Sequence, residues 1–317
     1  MKTIGVLTSG GDAPGMNACI AAIADSAQKR GVRVRGVFRG FVGLLEGNNL
    51  PLGDEIDGLA RRGGSFLGTS RNGDVKRGLE AHGYEQLFEA CGIEGLIVLG
   101  GGGSLEAASR MADAGARVIG VPCTIDNDVP GTDYCIGFDS AVNRALRSVD
   151  EILDTAESLS DRVFLVETMG GSTGHIALGT AFAAAADAVF IPEQPLEIES
   201  AAQRIRAKMD AGGTHGMVIV CEDMGTDQIA AKLEAGTGRK VRVTVLGHIQ
   251  RGGNPSALDR TMARLFGYAS VEMILAGETG VMVGYSDEQT HSMALADVVG
   301  KSREIDLAKY RVLNALG

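Results

Sequence analysis

Two carboxylates, two residues apart, follow a short apolar run near the middle of the chain. The run covers residues 118–121 and predicts a buried parallel strand, and Thr124, Asp126 and Asp128 come soon after it. In an open parallel sheet, ligands bind at the carboxyl ends of the strands. One carboxylate there can take a proton from an attacking hydroxyl group, and the other can hold a cation or a second hydroxyl group. The alternative is a plain turn, because Asp, Asn and Pro favour turns for backbone reasons.

Two glycine-rich segments occur in the order strand, turn, helix. The first covers residues 9–17, includes Gly11 and follows an apolar run that starts at Lys2. It matches neither GxxxxGK[ST] nor GxGxxG. The second follows the apolar run 95–99 and contains Gly100, Gly101, Gly102, Gly103 and Ser104. The amides of such turns and the positive end of the following helix suit a phosphate. Four consecutive glycines cost backbone entropy, which the close approach of a phosphate chain explains better than turn geometry.

Several cations stand in loops or near strand ends. Arg71 lies in a loop of cations and small residues and could balance the charge of a polyphosphate. In the second half, Arg162, Arg242, His248 and Arg251 could together grip the phosphate of a second substrate. Each of them taken alone is more typical of a solvated surface. With the carboxylates and glycine turns, they form the inventory of phosphoryl transfer, in which positioning and charge neutralisation dominate.

Composition and charge argue against several other classes of protein. The formal net charge of -10, the absence of Trp and the low aromatic content argue against a nucleic-acid partner. Five scattered cysteines without a CxxC pair indicate neither a zinc site nor a disulfide framework, and they suit a reducing, cytoplasmic compartment. No secretory leader is recognisable, and no apolar run reaches membrane-spanning length. We therefore expect a cytoplasmic protein without a membrane partner.

Predicted strands and helices alternate along the 317 residues, which predicts an α/β protein with mostly parallel sheets and right-handed crossovers. The strands are too many for one comfortable open sheet. We expect two Rossmann-like, three-layer α/β/α domains with the active site in the cleft between them. The predicted nucleotide domain covers residues 1–138 and about 252–300, and the predicted sugar-phosphate domain covers 139–251 and a C-terminal helix in 301–317. Gly280 to Gly284 is the expected last strand.

Four motifs together resemble the phosphofructokinase A family, and the match runs in order through nearly the whole chain. They are Ser9-Gly10-Gly11-Asp12-Ala13-Pro14-Gly15-Met16-Asn17, Thr124-Ile125-Asp126-Asn127-Asp128, Glu167-Thr168-Met169-Gly170 and Gly247-His248-Ile249-Gln250-Arg251-Gly252-Gly253. The resemblance implies a cytosolic glycolytic kinase that uses ATP and Mg2+ to phosphorylate fructose 6-phosphate. It also implies a homodimer or homotetramer.

The resemblance also implies roles for individual residues. Asp126 would deprotonate the 1-hydroxyl group of fructose 6-phosphate, and Thr124 and Asp128 would flank the transferring phosphoryl group. The sugar and its phosphate would contact Arg162, Met169, Gly170, Glu222, Arg242, His248 and Arg251, with Arg162 and Arg242 reaching in from a neighbouring subunit. The nucleotide would contact Gly11, Arg71, Gly101, Gly102, Gly103 and Ser104.

The chain departs from the family pattern at several of these places. Gly102 replaces an aspartate that helps to hold magnesium, which leaves Asp128 as the possible metal ligand. Gly103 and Cys123 both favour ATP, because family members that use pyrophosphate tend to carry Asp at the position of Gly103 and Lys at that of Cys123. Gly171 replaces an arginine near the phosphates.

A further departure concerns regulation. Ala21 and Asp25 replace the two arginines that members under allosteric control carry on the first helix, so we expect no response to ADP or phosphoenolpyruvate at that site.

Two other functions stay open. The chain could be a family member that uses pyrophosphate or phosphorylates a different ketose or ketose phosphate, as the changes at Gly102 and Gly171 suggest. It could also be a sugar-phosphate-binding homologue that has lost catalysis, although Asp126 and Asp128 are both retained.

Overall fold

The computed structural model describes residues 1–53, 56, 58–70, 78 and 83–316. The chain forms two compact units. The first unit comprises Met1–Ser140 and Arg251–Arg303, and the second comprises Ala141–Gln250 and Glu304–Gly317. The assignment of the nucleotide to one domain and of the sugar phosphate to the other stays a prediction.

Strands and helices alternate through both units, as the sequence predicts. The strands in the described residues are β1 (Thr3–Thr8), β2 (Arg33–Val37), β3 (Asn49–Pro51), β4 (Leu96–Gly100), β5 (Val118–Pro122), β6 (Arg162–Thr168), β7 (Ala188–Phe190), β8 (His215–Cys221), β9 (Lys240–Val245), β10 (Val281–Ser286) and β11 (Gln289–Ala294). The α-helices there are α1 (Met16–Gln28), α2 (Gly40–Glu46), α3 (Tyr84–Cys91), α4 (Gly102–Asp113), α5 (Phe138–Ser158), α6 (His175–Ala183), α7 (Ile198–Asp210), α8 (Thr226–Thr237), α9 (Ala257–Ala276), α10 (Leu295–Val298) and α11 (Leu307–Leu316). None of the described helices is long and apolar enough to cross a membrane.

The sheet of the first unit has the strand order β11-β10-β5-β4-β1-β2-β3. Its five central strands are parallel, and β3 and β11 are antiparallel at the two edges. β1, β4 and β5 are buried along their whole length, as expected for strands covered on both faces. The expected last strand at 280–284 was wrong in one respect, because the chain turns back after β10 and adds β11.

The sheet of the second unit has the order β7-β8-β6-β9, and all its pairs are parallel. Alternate residues of β6 enter two different cores. Phe164 and Val166 pack into one core with residues of α5, α6 and α11. Val163 and Leu165 pack into the other with residues of α7 and α8. The second unit therefore has three layers, helix, sheet and helix, and the predicted α/β class with mostly parallel sheets is confirmed.

The carboxyl ends of β1, β4 and β5 are neighbours at one edge of the first sheet. The turns that follow them are residues 9–15, 100–104 and 123–128. In the second unit, β6, β8 and β9 end side by side in the same way. The fold therefore places the predicted motifs at the carboxyl ends of parallel strands, one group of motifs in each unit.

Candidate active site

The first glycine turn is held against β4 and against a neighbouring loop. The N–H group of Ser9 donates to the carbonyl oxygen of Leu99 at 2.9 Å, and the N–H group of Gly10 donates to that of Ser70 at 3.3 Å. Gly15, just before α1, has a φ of 109°, and a Cβ there would lie 2.5 Å from the Ile136 side chain. Both the backbone conformation and the packing therefore require glycine at position 15.

The second glycine turn contains glycines of two kinds. A Cβ at Gly100 would lie 2.5 Å from the Ser104 side chain and 2.8 Å from the Ser9 carbonyl oxygen, so packing requires that glycine. Gly102 and Gly103 are exposed, have no positive φ, and a Cβ at either would meet no atom of the described residues within 4 Å. They form the first turn of α4, where backbone N–H groups have no partner inside the helix. The open space in front of them suits a phosphate.

Thr124 connects the acidic segment to the second glycine turn. A Cβ at Gly101 would lie 3.3 Å from the Cβ of Thr124. The Thr124 hydroxyl group accepts a hydrogen bond from the backbone N–H group of Asp126 at 3.2 Å and donates to the Asp126 carboxylate at 3.4 Å. Asp126 is half-buried, and its Oδ1 atom is buried from solvent. The threonine thus orients the predicted base beside the turn that is predicted to hold the phosphates.

Backbone contacts fix the acidic segment on both sides of Asp126. The N–H group of Ile136 donates to the carbonyl oxygen of Pro122 at 3.1 Å. Asn127 has a φ of 53°, a conformation that Asn tolerates better than most residues, and its Oδ1 accepts from the N–H group of Cys135 at 2.8 Å. The alternative of a turn at this segment is therefore compatible with the functional interpretation.

Arg251 lies in the first unit and contacts the first glycine turn. It is 8% exposed, and its Nη1 donates to the carbonyl oxygen of Asp12 at 3.0 Å. This contact brings one of the predicted sugar-phosphate cations next to the turn that contains Gly11.

Asn17 fixes the loop that leads to Arg71. It is 4% exposed; its Nδ2 donates to the carbonyl oxygens of Arg62 and Gly63, and its Oδ1 accepts from the N–H group of Phe66 at 2.6 Å. Arg71 itself lies outside the described residues.

In the second unit, two side chains accept hydrogen bonds from the backbone N–H groups of residues 169–171. Gln250 Oε1 accepts from the N–H group of Met169 at 2.7 Å. Glu222 Oε1 accepts from the N–H groups of Gly170 and Gly171 at 2.9 and 2.7 Å. These amides are bonded within the protein, which distinguishes this segment from the first turn of α4.

The second unit does not gather all its predicted cations at one edge. His248 is exposed in the 3-10 helix that follows β9. Arg162 begins β6, six residues before Thr168, so about 20 Å separates the ends of that strand. Arg242 is exposed on the edge strand β9, opposite Phe164. Arg162 and Arg242 therefore lie away from the carboxyl end of β6.

The described residues contain no group of three or more His, Cys, Asp or Glu side chains that could hold a metal ion. Gly102 offers no carboxylate, which leaves Asp128 as the possible ligand. Mg2+ commonly binds through one or two carboxylates together with substrate phosphates and water. The residues present therefore fit a magnesium ion that arrives with a nucleotide, and not one held in a protein cage.

Cys123 is an unsuitable nucleophile, although it precedes Thr124. It is fully buried, and burial, followed by the neighbouring Cys19 and Asp259, raises the pKa of its thiol well above the usual value. The thiol is therefore protonated at neutral pH, and a thiolate is the reactive form.

Sequence reasoning assigned no role to three side chains whose hydrogen bonds hold these segments: Asn17, Asn127 and Gln250. All three stand inside the recognised motifs, so their positions were a usable signal.

Comparisons with known proteins point to one family. A family model described as Phosphofructokinase matches residues 3–274. The ATP-dependent 6-phosphofructokinase of Halalkalibacterium halodurans is 41% identical over 321 residues, covering 100% of this chain and 99% of that protein. The ATP-dependent 6-phosphofructokinase 1 of Thermus thermophilus is 42% identical over 323 residues, with the same coverage.

Solved structures show the same fold. The phosphofructokinase of Pichia pastoris in the T-state has a TM-score of 0.84 and 30% identity over 94% of this chain, which spans only 35% of that longer chain. The pyrophosphate-dependent phosphofructokinase of Marinobacter aquaeolei has a TM-score of 0.84 and 25% identity, covering 97% of this chain and 86% of that one.

The fold and its strand-end turns define the class as an α/β protein with two mostly parallel sheets and glycine turns suited to phosphate. Within that class, the chain belongs to the phosphofructokinase family. The resemblance inferred from the sequence motifs is confirmed.

Proposed function

We propose that the protein is an ATP-dependent 6-phosphofructokinase. It transfers the γ-phosphoryl group of ATP to the 1-hydroxyl group of D-fructose 6-phosphate, a step of glycolysis, in the cytoplasm. One observation carries the proposal. In the first unit, two glycine turns and the Thr124–Asp126 pair lie together at the ends of neighbouring parallel strands. Relatives named ATP-dependent 6-phosphofructokinase, at 41% and 42% identity over the whole chain, support the same activity.

ATP binds along the glycine turns in this proposal. The exposed first turn of α4, with Gly102 and Gly103, offers backbone N–H groups and the positive end of a helix to the phosphates. Gly11, Gly101, Ser104 and Arg71 complete the nucleotide contacts. The missing carboxylate at position 102 leaves room for the phosphates to approach the backbone.

Asp126 is the general base. It accepts the proton of the 1-hydroxyl group, so that the hydroxyl oxygen can attack the γ-phosphorus atom. The hydrogen bond from Thr124 to the Asp126 carboxylate fixes its orientation. Thr124 and Asp128 flank the transferring phosphoryl group. Most of the rate enhancement comes from positioning and from neutralising charge.

Fructose 6-phosphate binds through Met169, Gly170 and Glu222 on the sugar and through His248 and Arg251 on the phosphate. Arg162 and Arg242 come from a neighbouring subunit of a homodimer or homotetramer. Their distance from the carboxyl end of β6 within one chain supports this division.

Magnesium would be held mainly by the ATP phosphates, with Asp128 as its protein ligand. When bound, the ion neutralises phosphate charge and polarises the phosphoryl group. The residues of this chain add the backbone amides of the glycine turns and the proton acceptor Asp126.

Pyrophosphate is the second candidate donor. The likeness to the pyrophosphate-dependent enzyme of Marinobacter aquaeolei and the changes at Gly102 and Gly171 favour it. Gly103 and the buried Cys123 favour ATP.

A grid of donors and acceptors tests the proposal. Initial rates are measured for ATP and for pyrophosphate, each with Mg2+, against fructose 6-phosphate and other ketoses and ketose phosphates, with a no-acceptor control for hydrolysis. We expect kcat/KM to be highest for ATP with fructose 6-phosphate. A higher value with pyrophosphate or with another acceptor would replace this function, and thermal stabilisation by fructose 6-phosphate without any turnover would indicate a non-catalytic homologue.

A further inference from the structure

Asp259 is a fully buried carboxylate that the proposed chemistry does not use. Its Oδ1 accepts hydrogen bonds from the Tyr134 hydroxyl group at 2.9 Å and from the Gly137 N–H group at 2.6 Å. Its Oδ2 accepts from the N–H group of Ser140 at 2.8 Å and from the Ser140 hydroxyl group. All four donors belong to residues 134–140, so one carboxylate from α9 fixes this whole segment.

The carboxylate joins the starts of two helices. Gly137 and Ser140 lie at the beginning of α5, whose first N–H groups need acceptors from outside the helix. Asp259 also lies in the first turn of α9, where its own N–H group donates to the side chain of the N-cap residue Ser256. The Ser256 N–H group donates to the Ser140 hydroxyl group at 2.9 Å, and that hydroxyl group donates to Asp259. In an ordinary capping box the Ser256 N–H group would donate directly to the Asp259 side chain; here the Ser140 hydroxyl group lies between them.

This burial has an electrostatic cost, which the four donors reduce. Desolvation raises the pKa of the Asp259 carboxyl group, and the hydrogen bonds from Ser140, Gly137 and Tyr134 oppose that shift. A buried acceptor with this many donors becomes expensive to replace, because each donor would lose its partner without gaining water.

Residues 134–140 contact the acidic segment on both sides of Asp126. Ile136 pairs with Cys123 in a parallel bridge, before Asp126. Cys135 donates to the side chain of Asn127, directly after it. The same residues also contact the first glycine turn, since a Cβ at Gly137 would lie 2.6 Å from the Cβ of Ala13. Whatever fixes residues 134–140 therefore fixes the acidic segment and the first glycine turn together.

We propose that Asp259 is a positioning residue for phosphoryl transfer: through residues 134–140 it holds Asp126 in register with the first glycine turn. It touches neither substrate and acts only through the backbone that it fixes. This inference rests on the proposed function, because the role of Asp126 does.

The variant Asp259→Asn gives a specific mismatch. An amide offers one accepting oxygen and one donating NH2 group. The hydroxyl groups of Tyr134 and Ser140 can turn and accept from that NH2 group, but the N–H groups of Gly137 and Ser140 cannot. Either orientation of the amide leaves one of these backbone donors facing another donor. The variant keeps the size of the side chain and loosens the segment.

Two readouts separate positioning from a merely structural role. We expect kcat per folded enzyme to fall about ten- to a hundredfold, as small misplacements of a catalytic group do. The KM values for ATP and fructose 6-phosphate should stay within about threefold, because the phosphate and sugar contacts are unchanged. Deuterium uptake is followed by mass spectrometry on the nucleotide-bound and on the free protein. In Asp259→Asn it should increase, relative to the wild type, in peptides that cover residues 122–137 and not in β4.

Ile274→Val is the matched control. Ile274 is fully buried on the same helix as Asp259 and lies away from residues 134–140 in the sequence, so the variant lowers Tm by loss of core packing alone. We expect its kcat and its uptake in residues 122–137 to match the wild type. If Asp259→Asn fails to fold, Ser140→Ala and Tyr134→Phe should show the same changes at smaller size. Each removes one donor to Asp259 together with the acceptor of one backbone N–H group, that of Ser256 or of Asp139.

Two results would overturn the proposal. One is unchanged uptake in residues 122–137 in a folded Asp259→Asn or Ser140→Ala variant. The other is a kcat loss no larger than that of Ile274→Val in an active enzyme. Deuterium uptake does not depend on turnover, so a wild type that fails to phosphorylate fructose 6-phosphate would refute the proposed function while the uptake still decides the positioning.

Discussion

Gly103 lies in the second glycine turn, and nothing in the described residues requires it to be glycine. Its φ is negative and its neighbourhood is open, whereas Gly100 is packed against Ser104 and Ser9. A residue that neither backbone conformation nor packing explains is explained by a ligand that approaches the backbone closely. The nucleotide phosphates are that ligand in the function proposed above.

Replacing this glycine separates ligand contact from folding. We expect Gly103→Ala to leave Tm unchanged or slightly higher, since the new Cβ meets no described atom and alanine favours helix. The KM for ATP should rise by about ten- to a hundredfold, because one hydrogen bond to a charged group contributes about 1.5–3 kcal/mol. Steady-state kinetics with ATP as the varied substrate measure this.

Asp113→Ala is the matched control, because Asp113 is exposed at the far end of the same helix. Its KM for ATP should equal that of the wild type. An unchanged KM in Gly103→Ala would remove Gly103 from the nucleotide site.

The sequence indicated some site residues better than others, for physical reasons. The positions of Thr124 and Asp126 after the carboxyl end of β5 were predictable, because they closely follow a buried parallel strand, and their roles stay a prediction. The supporting role of Asp259 was not predictable, since it depends on a contact with Ser140, 119 positions away in the chain. Arg162 was assigned a role by resemblance alone, and that role stays a prediction.

At the scale of elements, the buried strands were the most predictable. β1, β4 and β5 are continuous apolar runs followed by glycine or acidic turns, so composition and length alone define them. Their parallel arrangement follows from the helices between them.

The β10–β11 hairpin was missed for two reasons. Its turn residues, Asp287 and Glu288, have φ values of 49° and 62°, and neither is the Gly that usually marks such a turn. β11 is also an edge strand of mainly polar residues, with no buried position in its pattern. Tertiary pairing with β10 stabilises it, and local sequence preference does not.

For the molecule as a whole, two arginines of the second unit bear on the proposal that a neighbouring subunit completes the site. Arg162 and Arg242 lie away from the carboxyl end of β6, where Met169 and Glu222 lie. If they bind the sugar phosphate, they must do so in the site of another copy.

Mixing two inactive variants tests this arrangement. Arg162→Ala removes the donated cation, and Asp126→Asn removes the base of the receiving site. A hybrid of the two chains contains one site with both residues intact, so co-expression should restore a substantial part of the wild-type activity. Hybrids that stay as inactive as the two parents would show that Arg162 does not serve a neighbouring site. Arg147→Ala, an exposed arginine on α5, is the control and should be active alone.

The most direct measurement is the rate of fructose 1,6-bisphosphate formation from ATP, Mg2+ and fructose 6-phosphate by the wild type and by Asp126→Asn. The asparagine keeps the size of the side chain and cannot take a proton from the sugar hydroxyl group. We predict product from the wild type and a kcat lower by about 10²–10⁴-fold in the variant, with an unchanged Tm and ATP affinity. A wild type that forms no product, or a variant that keeps its rate, would contradict the assignment of Asp126 as the base.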